Sequence, residues 1–98
     1  MVKGQPFSVD IAIAAADTAQ VVDLSTKLPT ERIITQLIIE ADSGNGGVIS
    51  FGDGDITPTG PGKHLAAGAD CTLVNIHWPS LYLTGSATDD VVHLTGVL

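Results

Sequence analysis

The stretch from Gly44 to Gly85 reads GNGGVISFGDGDITPTGPGKHLAAGADCTLVNIHWPSLYLTG. Its apolar runs (Val48 to Phe51, Cys71 to Trp78, Leu81 to Leu83) are short, and each is bounded by turns rich in glycine or containing proline. A chain that turns back every eight or so residues has no room for helices and must stack short strands.

Working outward, Lys63 to Ala67 reads as a short edge strand with Leu65 pointing inward. Thr72 to Trp78 is a strand that Pro79-Ser80 breaks, Leu81 to Thr84 is another, and Val91 to Leu98 closes the sheet after a turn from Gly85 to Asp90. Upstream, Phe7, Val9, Ile11 and Ile13 alternate with small or polar residues, the period-2 pattern of a half-buried strand. Val22 and Leu24 alternate with Asp23 and Ser25 in a shorter one, and Ser25 to Thr30 is a connection.

Arg32 to Ala41 supports two readings. As a helix capped by Thr30, it would line one face with Ile33, Ile34, Leu37, Ile38 and Ala41. As a strand, Ile33, Thr35, Leu37, Ile39 and Ala41 face one way. Ile33, Ile34, Thr35, Ile38 and Ile39 are β-branched, half of the segment, which favours the pleat. The run Asp42-Ser43-Gly44-Asn45-Gly46-Gly47 tolerates positive φ and predicts a hairpin into Val48 to Phe51, with Asn45-Gly46 at its turn. The whole predicts an all-β chain: one antiparallel sandwich of seven or eight short strands, with the jelly roll among the topologies it allows. No linker, low-complexity tract or internal repeat divides it.

Ninety-eight residues suit one domain. Charged residues make up only 15%, against about 25% in ordinary domains, so part of the surface is expected to be buried against other subunits. Eleven acids face four bases, Lys3, Lys27, Arg32 and Lys63, for a net charge of −7. That balance argues against nucleic acid and against an anionic membrane surface. No stretch approaches the ~20 apolar residues of a membrane span, and the first residues lack the apolar core of a secretory signal. Synthesis and folding in a cytoplasm are expected.

Chemistry-bearing residues are sparse. Cys71 has no intrachain partner and reads as a packed small hydrophobe. Asp53-Gly54-Asp55 looks like a fragment of a calcium loop, but the twelfth position holds His64 instead of Glu. A turn in which Asp side chains bind nearby backbone N–H groups fits it better. His64, His77 and His93 have no short ligand spacing, and no Gly-x-Ser-x-Gly elbow supports a hydrolytic triad. No cofactor, metal or catalytic group is assigned. Trp78 and Tyr82 could stack on sugars, but with four aromatics in all, packing in a core or interface is the better use of them.

The order of parts, from Asn45-Gly46 through a β run, Gly52-Asp53-Gly54-Asp55, a Thr/Pro/Gly loop, Leu65, Ala67-Gly68-Ala69-Asp70 and a second β run to Leu81-Tyr82-Leu83-Thr84-Gly85, resembles a small β-sandwich module among virion proteins of tailed bacteriophages. The resemblance is to capsid decoration (cement) proteins and related head and tail accessories, and it covers residues 31 to 98. It implies a structural protein on the outside of a capsid, its partners being further copies of itself in a homotrimer and the major capsid protein. Head–tail, tail or baseplate accessories and a host-surface glycan-binding module are the alternatives. Long loops at the end of a sandwich tend to carry recognition. Asp53, Asp55, Thr57, Pro58, Thr59 and Pro61 are therefore candidate contact residues, with Phe7, Val9, Trp78 and Tyr82 as candidate interface side chains.

Overall fold

A computed structural model describes residues 6–24, 32–78 and 80–98. Among these residues eight strands follow one another: β1 (Pro6–Ala12), β2 (Gln20–Val21), β3 (Arg32–Ala41), β4 (Ile49–Gly52), β5 (Lys63–Leu65), β6 (Asp70–Trp78), β7 (Tyr82–Gly85) and β8 (Val91–Val97). The described residues contain no helix, so Arg32 to Ala41 is a strand. The Ser25–Thr30 connection and Pro79 lie outside the described residues.

The strands form two antiparallel sheets, ordered β1-β8-β3-β6 and β2-β7-β4-β5. First pairs with last, second with second-last, and so inward to the β4–β5 hairpin. The chain is thus folded in half at residues 53–62 and then rolled, so that β8 also meets β3 and β7 meets β4. This double Greek key is the jelly roll.

Alternation places the core. Phe7 and Ile13 from β1 and its end, Leu37, Ile39 and Ala41 from β3, and Val92 and Leu94 from β8 face Ile49, Phe51, Leu65 and Leu83 of the second sheet. Val22 and Leu24 continue the alternation of β2 inward, and the Val22 N–H donates to the Leu81 carbonyl at 2.9 Å. Opposite Phe7 in β1 stands Gly96 of β8. A Cβ there would lie 2.4 Å from the Phe7 ring, so the glycine is what lets the ring lie flat over the neighbouring strand.

Two expectations change. Asn75 of β6 has φ 52°, a left-handed conformation, opposite Thr35 of β3. The pleat changes phase there in both strands. Ile34 and Ile76 turn toward the core, while Ile33 is 53% exposed and Thr35 is outside as well. The inward set of β3 is therefore Ile34, Leu37, Ile39 and Ala41, without Ile33 and Thr35.

The second change concerns Asn45-Gly46. The segment after β3 does not make a hairpin, because β3 and β4 belong to different sheets and share no ladder. It crosses between sheets and is clamped to the start of β8. The Asn45 side chain donates from Nδ2 to the Val91 carbonyl at 2.9 Å and accepts the Val91 N–H at Oδ1 at 2.8 Å, so that it stands in for a strand residue. The carboxylate of Asp90, 8% exposed, accepts the N–H groups of Gly46 and Gly47 at 3.0 and 2.8 Å. Neither Asn45 nor Gly46 has a positive φ.

Candidate docking surface

The ladder registers assemble the outer face of the β1-β8-β3-β6 sheet row by row. One row runs Pro6, Val97, Gln36, Val74, and the next Ser8, Thr95, Ile38, Thr72. Neither row holds an Asp, Glu, Lys or Arg. Val74 is 63% exposed and Ile38 37%. Past the phase change, Ile33 and His77 extend the uncharged surface. The third row reverses this character: Asp10, His93, Glu40, Asp70. Glu40 and Asp70 stand directly opposite each other, an arrangement in which like charges repel.

His93 organises the acidic row. Its Nδ1–H donates to Asp10 at 2.7 Å and its Nε2–H to Asp42, just beyond β3, at 2.8 Å. Carboxylates only accept, so both ring nitrogens must carry protons and the ring is an imidazolium. The hydrogen bond to Asp10, and then that to Asp42, push the His93 pKa up to about 9. Asp42 is held below the usual carboxylate range by His93 and by the Gly44 N–H, which it accepts at 2.9 Å. A ring bonded through both nitrogens has no lone pair for a metal. Among the described residues no cluster of His, Cys, Asp or Glu is arranged to hold one.

The outer face of the other sheet is covered around Ser50, while Val21 at its β2 end stays 44% exposed. Ser50 and Thr84, cross-strand neighbours that alternation turns outward, are both 0% exposed. Residues 53–62 fold back over Ser50. The Ser50 hydroxyl bonds His64 Nδ1 at 2.5 Å, and His64 Nε2–H reaches the Gly60 carbonyl at 2.8 Å. Ile56, 5% exposed, is seated against Gly52 and Gly62. Gly62 has φ 113°, and a Cβ on it would lie 2.9 Å from Ile56 and 3.1 Å from the Phe51 carbonyl oxygen. Ser50 and His64 have the separation of a nucleophile and its base. Yet the hydroxyl is sealed from substrate, and the far ring nitrogen meets a neutral carbonyl, so the pair acts as a latch on the loop.

The candidate contact residues divide accordingly. Asp53, Asp55, Thr57, Thr59 and Pro61 are exposed along the loop, while Pro58 is buried beneath it. Asp53 accepts the Asp55 N–H at 3.0 Å, as the turn reading requires. Phe7 is 7% exposed in the core and presents nothing to a partner. Val9 packs partly against that core, as does Cys71. Trp78 packs there too and donates its indole N–H to the Val22 carbonyl at 2.7 Å, fastening the two sheets together. Tyr82 lies half-buried under Gly54 of the loop. The uncharged rows of the first sheet were not among the expected sites. Their residues are scattered from Pro6 to Val97, and only the low charged content of the chain pointed to such a surface.

No protein-family model matches the chain, and no curated protein matches it. Among solved structures, a chain of the Bacillus endospore appendages, described as a family of disulfide-linked pili, is similar at 20% identity and a TM-score of 0.47. The match covers 98% of this chain and 89% of that one. A likeness of this degree carries no function from one chain to the other.

Proposed function

We propose that the protein is a non-enzymatic structural subunit that docks on a protein particle through the outer face of its β1-β8-β3-β6 sheet, and specifically that it is a capsid decoration protein of a tailed bacteriophage. The observation that carries this reading is the pair of uncharged rows spanning all four strands. Single exposed apolar residues need no explanation. Here two whole rows lack charge, with Val74 and Ile38 exposed among Ser, Thr and Gln, which is a surface that can be desolvated without stranding an ion.

Magnitude bears on how such a face would be used. Four strands at ~4.8 Å spacing and two rows at ~6.8 Å along the strand give roughly 250 Å². Specific association takes about 800 Å² per partner. One face alone is too small, so attachment calls for several subunits acting together, as a homotrimer on a repeating shell would. The glycan-binding alternative loses support because Trp78 and Tyr82 are engaged in packing.

Mass photometry at micromolar concentration, followed by co-sedimentation with purified tailed-phage heads, tests the proposal. A trimer that co-sediments, and a Val74→Lys/Ile38→Lys variant that folds but does not, is the expected result. A monomer that ignores the heads, or a double variant that binds them undiminished, would sink it.

A further inference from the structure

Among the described residues β6 pairs with β3 alone, so along Thr72 to Val74 its other flank has no strand beside it among those residues. Successive residues of an antiparallel ladder direct their N–H and C=O groups alternately to the two sides. The phase is fixed by two bonds: the Ala41 N–H donates to the Ala69 carbonyl across the β3–β6 side, and the Asp42 N–H to the Val91 carbonyl across the β3–β8 side. It follows that Cys71 and Leu73 bond toward β3, while the backbone groups of Thr72 and Val74 face outward along the edge. Proteins ordinarily guard such an edge with Lys, Pro or a covering segment. Between Cys71 and Trp78 this strand holds no Lys, Arg, Asp, Glu or Pro.

Beside the same edge, between the two sheets, lies an open cleft of about 300 Å³. Phe51 and Leu81 line it from one side and Leu73 and Ile76 of β6 from the other, with His77 and Ser80 adding polar groups. Ligand pockets run from roughly 300 to 1,000 Å³, so this one is of a size for a single large side chain rather than a cofactor. Its position has a plain geometric meaning. A strand laid next to β6 would point alternate side chains inward between the sheets, and that is where the cleft opens.

We propose that the β6 edge and this cleft form a strand-addition site for an extended, uncharged segment of another protein, which bonds to the Thr72 and Val74 backbone and inserts one large apolar side chain into the cleft. Main-chain bonds would supply affinity and the cleft specificity. A second copy adding through its own β1 does not fit, because the inward side chains of β1, Phe7, Val9 and Ile11, are already committed to their own core. Flanking basic residues suit the partner, given the net charge of −7 and Asp70 at the start of the strand. The site adjoins the docking face proposed above, whose rows end on Val74 and Thr72, but it uses the backbone of those residues where the face uses their side chains.

The test uses the full chain and a fluorescein-labelled peptide, Lys-Thr-Val-Phe-Val-Thr-Lys, followed by anisotropy. Binding is expected to weaken at least about tenfold when the central Phe is replaced by Asp. A similar loss is expected with Thr72→Pro, which removes an outward N–H without touching the β3 ladder, and with Ser80→Trp, which fills the cleft from an exposed position. Circular dichroism should stay unchanged in both variants. No binding up to millimolar peptide, or equal binding by the variants and the parent, overturns the proposal. Self-association of the chain without peptide that Thr72→Pro abolishes would make the occupant a second copy, and would overturn it as well.

Discussion

On one sheet the outward hydroxyl side chains of Ser50 and Thr84 are 0% exposed, while on the other the outward isopropyl group of Val74 is 63% exposed. Solvation alone would reverse that assignment. Ser50 is roofed by residues 53–62 through the Ser50–His64–Gly60 chain of hydrogen bonds and the seated Ile56, while among the described residues the Thr84 hydroxyl oxygen is buried without a hydrogen-bond partner. The uncharged rows, with Val74 and Ile38 exposed in them, have no such roof among the described residues. One face is thus finished by its own loop, and under the proposed function the other is finished by a partner. The long loop, expected to serve recognition, spends Ile56 and Pro58 on covering the sheet.

The comparison can be broken most decisively at Gly62. Gly62→Val forces a β-branched residue into a left-handed φ and against Ile56, and should lower unfolding free energy by about 2–4 kcal/mol in a urea titration. A change under ~1 kcal/mol would mean that the loop is only loosely attached.

Asp90→Ala is next. It strands the Gly46 and Gly47 amides in a part-buried site, a loss of about 1–3 kcal/mol. In contrast, Gly46→Val should change little, since Gly46 has no positive φ and open space around its Cβ position.

The acidic row gives a pH signature. Because the His93 pKa rises from 6.5 to about 9 on folding, its contribution is full below 6.5 and fades as pH climbs through 9. Asp42 works the other way: its folded pKa lies below 3.8, so its contribution is present above 3.8 and is lost as the solution is acidified below that. Melting temperature should therefore plateau between about pH 3.8 and 6.5, decline as pH rises from 6.5 through about 9, and fall again on acidification below 3.8. His93→Gln should flatten the alkaline fall, and an unaltered alkaline limb would place the cause elsewhere.

The smallest effect on folding is expected at Val74→Lys, within about ±0.5 kcal/mol as for ordinary surface changes. If the variant were markedly less stable, Val74 would be part of the fold and the contrast between the faces would fail.

Much of this architecture is legible in the residues, and the exceptions share a cause. Alternation in Phe7 to Ile13 marks the inward side of β1 correctly because nothing interrupts its pleat. In β3 the same rule fails at Ile33 and Thr35, because the phase is reset by Asn75 on another strand. Asn45-Gly46 carries the local chemistry of a hairpin turn. What directs it across the sheets instead is Asp90 and Val91, far along the chain. The uncharged rows become visible only when the register aligns Pro6 with Val97, Gln36 and Val74.

The nested pairing also dictates a schedule. Pro6 bonds opposite Val97, across nearly the whole chain, so the first strand made must wait for the last. At ~5–20 residues per second a ribosome needs roughly 5–20 s to deliver that partner, whereas β-rich domains fold in about milliseconds to seconds once complete. The β4–β5 hairpin can close early, but β1 stays an unpaired strand until β8 has been made. A nascent chain stalled before Val91 would accordingly expose Phe7, Val9 and Ile11 to chaperones and neighbouring chains.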